Sequence, residues 1–136
     1  MVFLTNRRSS NRTLSATAQA KFYVEALGGE VVSSLTHGEG MGAENEYKDK
    51  IMHMCLAVPG GNLFMADAME PFQYGTGMYL SLEFQSEAEA QKAFANLAEG
   101  GQVKYPFELQ PFGIFLGELT DKFGVLWMII AEQKND

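Results

Sequence analysis

The sequence predicts an α+β fold built from two copies of one βαβββ module. Three observations support this: the chain has 136 residues, the length of one domain; segments of its first half recur in its second half; and each half changes from a helical to a strand-like spacing of apolar residues. We expect a single domain over residues 1–136, with pseudo-equivalent modules at about 1–74 and 75–136. Their strands are expected to form a curved mixed sheet with the helices on its outer face.

An internal repeat carries this prediction. Residues 18–31 match residues 90–103, an alignment we call the helix frame, and residues 51–68 match residues 114–131, which we call the strand frame. The strand frame also aligns two aromatic residues, Phe64 and Trp127. The offset between copies is smaller in the strand frame because the first copy has a longer loop, at about residues 36–49. Two alignments in the same order, separated by one insertion, indicate a duplicated unit.

Each copy contains one predicted helix. The first is expected at residues 15–27, where Ser15 or Thr17 can cap its start by accepting from free backbone amides. The second is expected at residues 87–99, where Ser86 begins a capping-box pattern. Apolar residues recur at helical spacing in both segments, and a Gly-Gly pair follows each of them.

Alternating and apolar runs predict four strands in each copy. They lie at residues 2–5, 30–35, 50–58 and 62–67, and then at residues 77–84, 102–107, 113–119 and 125–131. Residues 6–14 are expected to form an exposed loop, and residues 36–49 a mobile loop. The second loop contains a Gly-x-Gly-x-Gly pattern at residues 38–42, but it lacks the following helix and the parallel crossover that a nucleotide or S-adenosylmethionine loop requires.

Charge and cysteine content narrow the function classes. The net charge of −7 and the pI of about 4.8 argue against nucleic-acid and membrane partners, because an acidic surface repels phosphate groups. No apolar run reaches the roughly 18 residues that span a bilayer. Cys55 is the single cysteine, so an intramolecular disulfide is excluded. Residues 1–24 are basic and lack the apolar core of a signal peptide, which favours a cytoplasmic location.

Several segments carry a resemblance to a known family. They are Phe22-Tyr23-x-x-x-Leu27-Gly28-Gly29-Glu30, Asp49-Lys50-Ile51-Met52-His53, Phe64-Met65-Ala66-Asp67-Ala68 and the run from Leu119 to Met128. In these segments the chain resembles the PhnB-like branch of the vicinal oxygen chelate superfamily, which includes glyoxalase I, extradiol dioxygenases and bleomycin-resistance proteins. The resemblance implies a glyoxalase/bleomycin-resistance-like fold, a small-molecule ligand and a homodimer.

The resemblance also locates the positions of the superfamily metal ligands. The last-strand glutamate positions fall near Met65 and Met128, and thioethers are poor ligands for hard divalent cations. The first-strand positions fall near residues 3–5 and 78–80, which hold neither histidine nor glutamate. We therefore expect no cofactor and no metal bound in the superfamily manner, while a divalent metal elsewhere stays open.

Three side chains are candidate catalytic groups, each with an alternative. Asp67 shares a strand face with Met65 and is expected at the cavity, or else it caps a helix or turn. His53 lies in an apolar strand, where a catalytic base is less common than a hydrogen-bonded core residue. Glu83 is either a cavity carboxylate, whose pKa burial would raise, or an exposed strand residue.

Two functions follow from these candidates. The first is a protein that binds a small organic molecule in an apolar cavity without the superfamily metal. Its expected ligand-binding residues are Met65, Tyr79, Phe115, Trp127 and Met128. The alternative interpretation of Trp127 is a residue that packs between the sheet and the helix. The second function is a lyase, isomerase or dioxygenase with a rearranged site of His53, Asp67 and Glu83. Some PhnB-like sequences carry a demethylubiquinone methyltransferase label, which the residues here do not support.

Overall fold

Each half of the chain forms a four-stranded sheet with a helix packed on one face. The structure is a computed structural model that describes residues 2–5, 15–69 and 75–133, with the backbone alone for residues 2–5. The chain divides into unit 1, Met1–Gln73, and unit 2, Tyr74–Asp136. The predicted loop at residues 6–14 lies outside the described residues.

The described residues of unit 1 form four strands and two helices. They are β1 (Val2–Thr5), α1 (Ala16–Leu27), β2 (Glu30–Thr36), α2 (His37–Met41), β3 (Ile51–Val58) and β4 (Gly61–Asp67). The strand order is β1-β4-β3-β2, in which β1 is parallel to β4 and the other neighbours are antiparallel.

Unit 2 has the same order of strands. Its elements are β5 (Leu80–Phe84), α3 (Glu87–Ala98), β6 (Gln102–Leu109), β7 (Ile114–Thr120) and β8 (Leu126–Glu132). The sheet order β5-β8-β7-β6 repeats that of unit 1, again with one parallel pair. The α+β class is confirmed, and so is the βαβββ order in unit 2; unit 1 has the same order with helix α2 added between β2 and β3. Strand β5 is shorter than predicted, since it begins at Leu80.

The two long helices begin and end close to their predicted bounds. The side chain of Ser15 accepts a hydrogen bond from the amide of Ala18 at 3.2 Å, and the side chain of Ser86 accepts from the amide of Glu89 at 3.2 Å. Gly28 closes α1 in the left-handed conformation, and its amide donates to Val24. Local capping chemistry therefore fixes these elements, which is why the sequence predicts them well.

The region predicted as a mobile loop, residues 36–49, contains helix α2, so that prediction is wrong there. The side chains of Thr36 and Glu39 form a reciprocal capping box at its start. A side chain added at Gly40 would meet Leu35 and Met52, so the glycine permits close packing of α2. Because β2 and β3 are antiparallel, α2 does not belong to a parallel crossover.

The core of unit 2 lies between its sheet and α3. Trp127 and Ile129 are 0% exposed, and both lie on the sheet face that α3 covers. Gly117, which pairs with Ile129, lets α3 pack closely on the sheet. A Cβ added at Gly117 would collide with the ring of Phe94 on α3. In unit 1 the corresponding core side chain is Met65, which is 1% exposed.

The strand register corrects one alignment made from the repeat. Leu56 pairs with Leu63 in unit 1, and Leu119 pairs with Trp127 in unit 2, so Leu63 and not Phe64 corresponds to Trp127. The β7–β8 turn is one residue longer than the β3–β4 turn, so the strand frame is out of step by one position from this turn onwards. A shift of one residue moves every side chain of a strand to the other face.

Two repeated glycines lie where the chain passes very close to a neighbouring strand. A Cβ added at Gly29 would collide with the carbonyl oxygen of Ala57, and one at Gly101 would collide with that of Thr120. Gly29 and Gly101 correspond in the helix frame, and Ala57 and Thr120 correspond in the strand frame. The same close approach therefore explains the second glycine of both Gly-Gly pairs.

Alanine at Gly29 or Gly101 is expected to lower the free energy of unfolding by about 2 kcal/mol, because a backbone carbonyl must move to admit the methyl group. Urea unfolding followed by circular dichroism measures this change. Gly75→Ala is the matched control, since a Cβ added at Gly75 meets nothing within 4 Å. Equal stability of the Gly29, Gly101 and Gly75 variants would contradict this explanation.

Candidate functional site

The face of the unit 2 sheet opposite α3 is the candidate site, and we call it the open face. Helix α3 is the one described helix of this unit, and it packs on the other face. Alternation along β5, β7 and β8 determines which side chains lie on the open face. Those in its central part are Ser81, Glu83, Leu116, Glu118, Met128 and Ile130.

The register arranges the open face in two rows across three strands. Met128 lies between Ser81 and Glu118 in one row, and Ile130 lies between Glu83 and Leu116 in the next. Apolar side chains thus occupy the middle strand, and carboxylates lie on both sides of it. Met128, Ile130 and Leu116 are half-buried, so they expose apolar surface on this face.

A polar pair joins the two edges of the same sheet. The ammonium group of Lys104 on β6 donates a hydrogen bond to the hydroxyl oxygen of Tyr79, next to β5, at 2.6 Å. The Lys104 nitrogen also lies 5.3 Å from the centroid of the Tyr79 ring. Strands β5 and β6 are three spacings apart, about 14 Å in a flat sheet, so both long side chains lean over the open face.

Electrostatics keep Lys104 charged. The hydrogen bond to Tyr79 and the electrostatic interaction with the same residue raise the pKa of Lys104 above its ordinary value of 10.5, and Glu118 and Tyr105 add to this effect. Lys104 is fully exposed, so water screens these interactions and they contribute little to stability. The open face therefore carries the positively charged Lys104 ammonium group near neutral pH.

The expected ligand-binding residues divide between the two faces of their sheets. Met128 and Tyr79 lie on the open-face side of unit 2. Trp127 and Phe115 lie on the face that α3 covers, and Met65 is buried on the corresponding face of unit 1. The expectation that Met65 and Met128 line one cavity rests on the strand frame, which aligns these two residues. That alignment fails by one residue in the last strand.

Phe115 belongs to an aromatic cluster under α3. Its ring stacks on that of Phe107 with centroids 5.9 Å apart, and the Phe107 ring lies 5.9 Å from that of Phe94 on α3. These contacts fasten β6 and β7 to the helix. A packing role is therefore visible for Phe115, and ligand contact by this residue stays a prediction.

Asp121 organises the turn before β8, and the sequence analysis assigned it no such role. One carboxylate oxygen accepts from the amides of Phe123 at 2.8 Å and Val125 at 3.0 Å. The other accepts from the indole nitrogen of Trp127 at 2.8 Å. Asp121 is 3% exposed, and its charge-assisted bonds to Val125 and Trp127 are buried, while the one to Phe123 is part-buried. They account for Asp121 and Trp127 within the run from Leu119 to Met128.

Asp67 links α1 to the sheet of unit 1. Its carboxylate accepts from the amide of Ala16 at 2.8 Å and from the amide of Ile51 at 2.8 Å. Ala16 is the first residue of α1 and Ile51 the first of β3. Of the two alternatives for Asp67, these bonds are those of a helix-capping residue; a catalytic role stays a prediction.

His53 lies on the opposite face of the same sheet. Met54 pairs with Met65, which shares a face with Asp67, so the side chain of His53 points away from that carboxylate. His53 is exposed, contrary to the alternative of a core histidine, and its ring centroid is 5.6 Å from that of Phe64. The sheet thus separates His53 from Asp67.

Glu83 is exposed on the open face of unit 2, where it pairs with Ile130. It lies beside the apolar row and not within a closed cavity of this unit. Two roles fit this position of Glu83: it solvates the strand, or it contacts a ligand on the open face. Its catalytic role stays a prediction.

The last strands of the two units do not supply the superfamily's metal ligands. The open-face positions of β8 hold Met128 and Ile130, and the corresponding positions of β4 hold Phe64 and Ala66. None of these offers the oxygen or nitrogen ligand that a hard divalent cation prefers. Within residues 15–69 and 75–133, no group of three or more His, Cys, Asp or Glu side chains could hold a metal ion.

Solved structures share this fold. A Pseudomonas aeruginosa protein, PA1353, is 32% identical with a TM-score of 0.77, and the match covers 98% of this chain and 96% of that chain. A Bacillus cereus PhnB protein is 22% identical with a TM-score of 0.71 over 96% of each chain. A glyoxylase/bleomycin resistance protein/dioxygenase domain from Frankia sp. is 13% identical with a TM-score of 0.68, covering 98% of this chain and 94% of that chain. The fold is therefore the glyoxalase/bleomycin-resistance fold.

Sequence comparison gives the family. The family model for 3-demethylubiquinone-9 3-methyltransferase matches residues 13–130. Protein YjdN of Escherichia coli is 31% identical over 120 residues, which is 79% of this chain and 82% of YjdN. The chain belongs to this family, which lies in the PhnB-like branch of the vicinal oxygen chelate superfamily. The described helices include none that is long and apolar enough to cross a membrane.

Proposed function

We propose that this protein binds a small organic molecule whose apolar body lies on the open face of unit 2. The observation that carries the proposal is the row of half-buried apolar side chains on the middle strands, Leu116, Met128 and Ile130. Covering apolar surface releases about 25 cal/mol for each Å² removed from water. A rigid sheet face offers that surface without reorganisation, which favours binding.

The proposal includes binding without the superfamily metal, because the residues at the ligand positions are the wrong donors. The bleomycin-resistance proteins of the same superfamily are examples of proteins that bind a small molecule in this way. A homodimer in the cytoplasm remains a prediction from that resemblance and from the sequence. The enzyme alternative gains no support from geometry, since the sheet of unit 1 separates His53 from Asp67.

Met128→Lys is expected to weaken binding of N-phenyl-1-naphthylamine, a neutral fluorescent apolar probe, at least tenfold. The reason is that a ligand covering position 128 would have to desolvate an ammonium group. Fluorescence titration of the wild-type protein and the variant measures the change.

Met41→Lys is the control, because Met41 lies in unit 1 and is 75% exposed on α2. This variant should bind the probe as the wild-type protein does. Failure of the wild-type protein to bind any apolar probe, or equal affinity of the Met128 variant, would overturn the proposed site.

A further inference from the structure

We propose that the ligand of the open face is an organic monoanion whose charged oxygen group binds between the Lys104 ammonium and the Tyr79 hydroxyl. This inference rests on the proposed function and adds the chemical class of the ligand. We call the space between Lys104 and Tyr79 the headgroup site; it lies at one end of the apolar rows. The apolar body of the ligand lies on Met128 and its neighbours, as in the proposed function.

A bulge in β6 lies at the headgroup site. Val103 pairs with Leu119 and Tyr105 pairs with Glu118, so Lys104 is an extra residue between two consecutive pairs. A bulge of this kind redirects a side chain, and bulges are common beside functional sites. Alternation from Val103, which pairs with Leu119 on the α3 side, directs Lys104 to the open face, near Glu118 and within reach of Tyr79. The bulge lets Lys104 share that face with Tyr105, which pairs with Glu118.

The pair has unused donors. An ammonium group has three N–H donors, and one of them goes to the Tyr79 oxygen. In the described part of the chain, Lys104 has no carboxylate at salt-bridge distance. Because the Tyr79 oxygen accepts from Lys104, its own O–H remains able to donate. Two adjacent donors, one of them charged, match the two oxygens of a carboxylate or sulfonate.

The surrounding charges select the form of the anion. Glu118 and Glu83 lie on the same face, so a ligand with two or more negative charges would be repelled. Each further negative charge on the ligand adds to this repulsion, whereas a single one can pair with the Lys104 ammonium, and the neighbouring apolar row favours an apolar body. Free inorganic phosphate lacks the apolar body and is partly doubly charged at neutral pH, whereas an aromatic or aliphatic carboxylate meets both conditions.

Unit 1 supplies an internal comparison. Its β2 has the same bulge, since Val31 pairs with Leu56 and Ser33 pairs with Cys55. The extra residue there is Val32, which corresponds to Lys104 when the helix frame is continued past its end. The duplicated backbone feature therefore carries a cation in one copy and an apolar side chain in the other. The headgroup site is consequently a property of unit 2.

Two probes with the same apolar body test the inference. N-phenyl-1-naphthylamine is neutral, and 8-anilino-1-naphthalenesulfonate adds one sulfonate group to it. Lys104→Gln is expected to weaken binding of the sulfonate probe roughly tenfold and to leave the neutral probe unchanged, because a charge-assisted hydrogen bond is lost. Tyr79→Phe should weaken the sulfonate probe by a smaller factor, since it removes one neutral donor. Lys92→Gln on α3 is the control of equal charge change.

The outcomes separate the two proposals. If the wild-type protein binds neither probe, the proposed function fails. If both probes bind and the Lys104 and Lys92 variants lose equal affinity for the sulfonate probe, the headgroup site alone is overturned. At constant ionic strength, benzoate should displace the sulfonate probe and inorganic phosphate should not. Equal displacement by phosphate would contradict the organic monoanion.

Discussion

Asp121→Ala is expected to lower the free energy of unfolding by about 4 kcal/mol. The substitution leaves the Trp127 indole N–H and the amides of Phe123 and Val125 without the acceptor that they share. The Trp127 indole N–H and the Val125 amide are buried, and the Phe123 amide is part-buried. A buried donor that loses its partner costs about 1–3 kcal/mol. The turn joins β7 to β8, so its loss also loosens the strand that carries Met128.

Urea unfolding followed by far-ultraviolet circular dichroism measures this effect. Asp121→Asn keeps the size of the side chain but supplies one acceptor oxygen in place of two, so it should have an intermediate stability. Lys122→Ala, at the exposed neighbouring position, should change stability by less than about 0.5 kcal/mol. An Asp121→Ala variant as stable as the Lys122 variant would contradict the assigned role.

Asp67→Ala is expected to cost about 3 kcal/mol, the second largest effect. Its carboxylate accepts from the first amide of α1 and the first amide of β3, two elements far apart in sequence. Removing it leaves both amides without this acceptor at a site that is 3% exposed. The negative charge also interacts favourably with the positive end of the α1 dipole.

Hydrogen exchange distinguishes this role from a general loss of packing. In Asp67→Ala, the amides of Ala16 and Ile51 should lose protection more than amides in unit 2. Asp49→Ala, which alters an exposed carboxylate near the start of β3, should leave both amides protected. Unchanged protection of Ala16 and Ile51 in the Asp67 variant would show that these bonds contribute little.

Much of the fold can be predicted because its signals are local. Ser15, Ser86 and the Gly-Gly pairs fix the helices through hydrogen bonds between near neighbours in the chain. Helix α2 was missed although the Thr36–Glu39 pair has the pattern of a capping box. The acidic, aperiodic residues that follow it favoured a loop. The capping-box pattern was the only sequence signal for this short helix, and the composition of the following residues outweighed it.

The site was less predictable because it depends on register. One additional residue in the β7–β8 turn moves Trp127 under α3 and leaves Met128 on the open face, so a constant repeat offset assigns the wrong face in one unit. The bulge at Lys104 has no distinct sequence signal. Tyr79 is one of the expected ligand-binding residues. Its partner Lys104 lies on the opposite edge strand of the sheet, beyond α3 in the chain, and was not predicted.

The most direct test of the account is to observe which methionines contact a bound ligand. The protein has eight methionines, and labelling their methyl carbons gives one nuclear magnetic resonance signal for each. Addition of N-phenyl-1-naphthylamine should shift the Met128 signal and leave those of Met54 and Met65, which are buried in unit 1, in place. Shifts at Met54 and Met65 with an unmoved Met128 signal would contradict binding on the open face of unit 2.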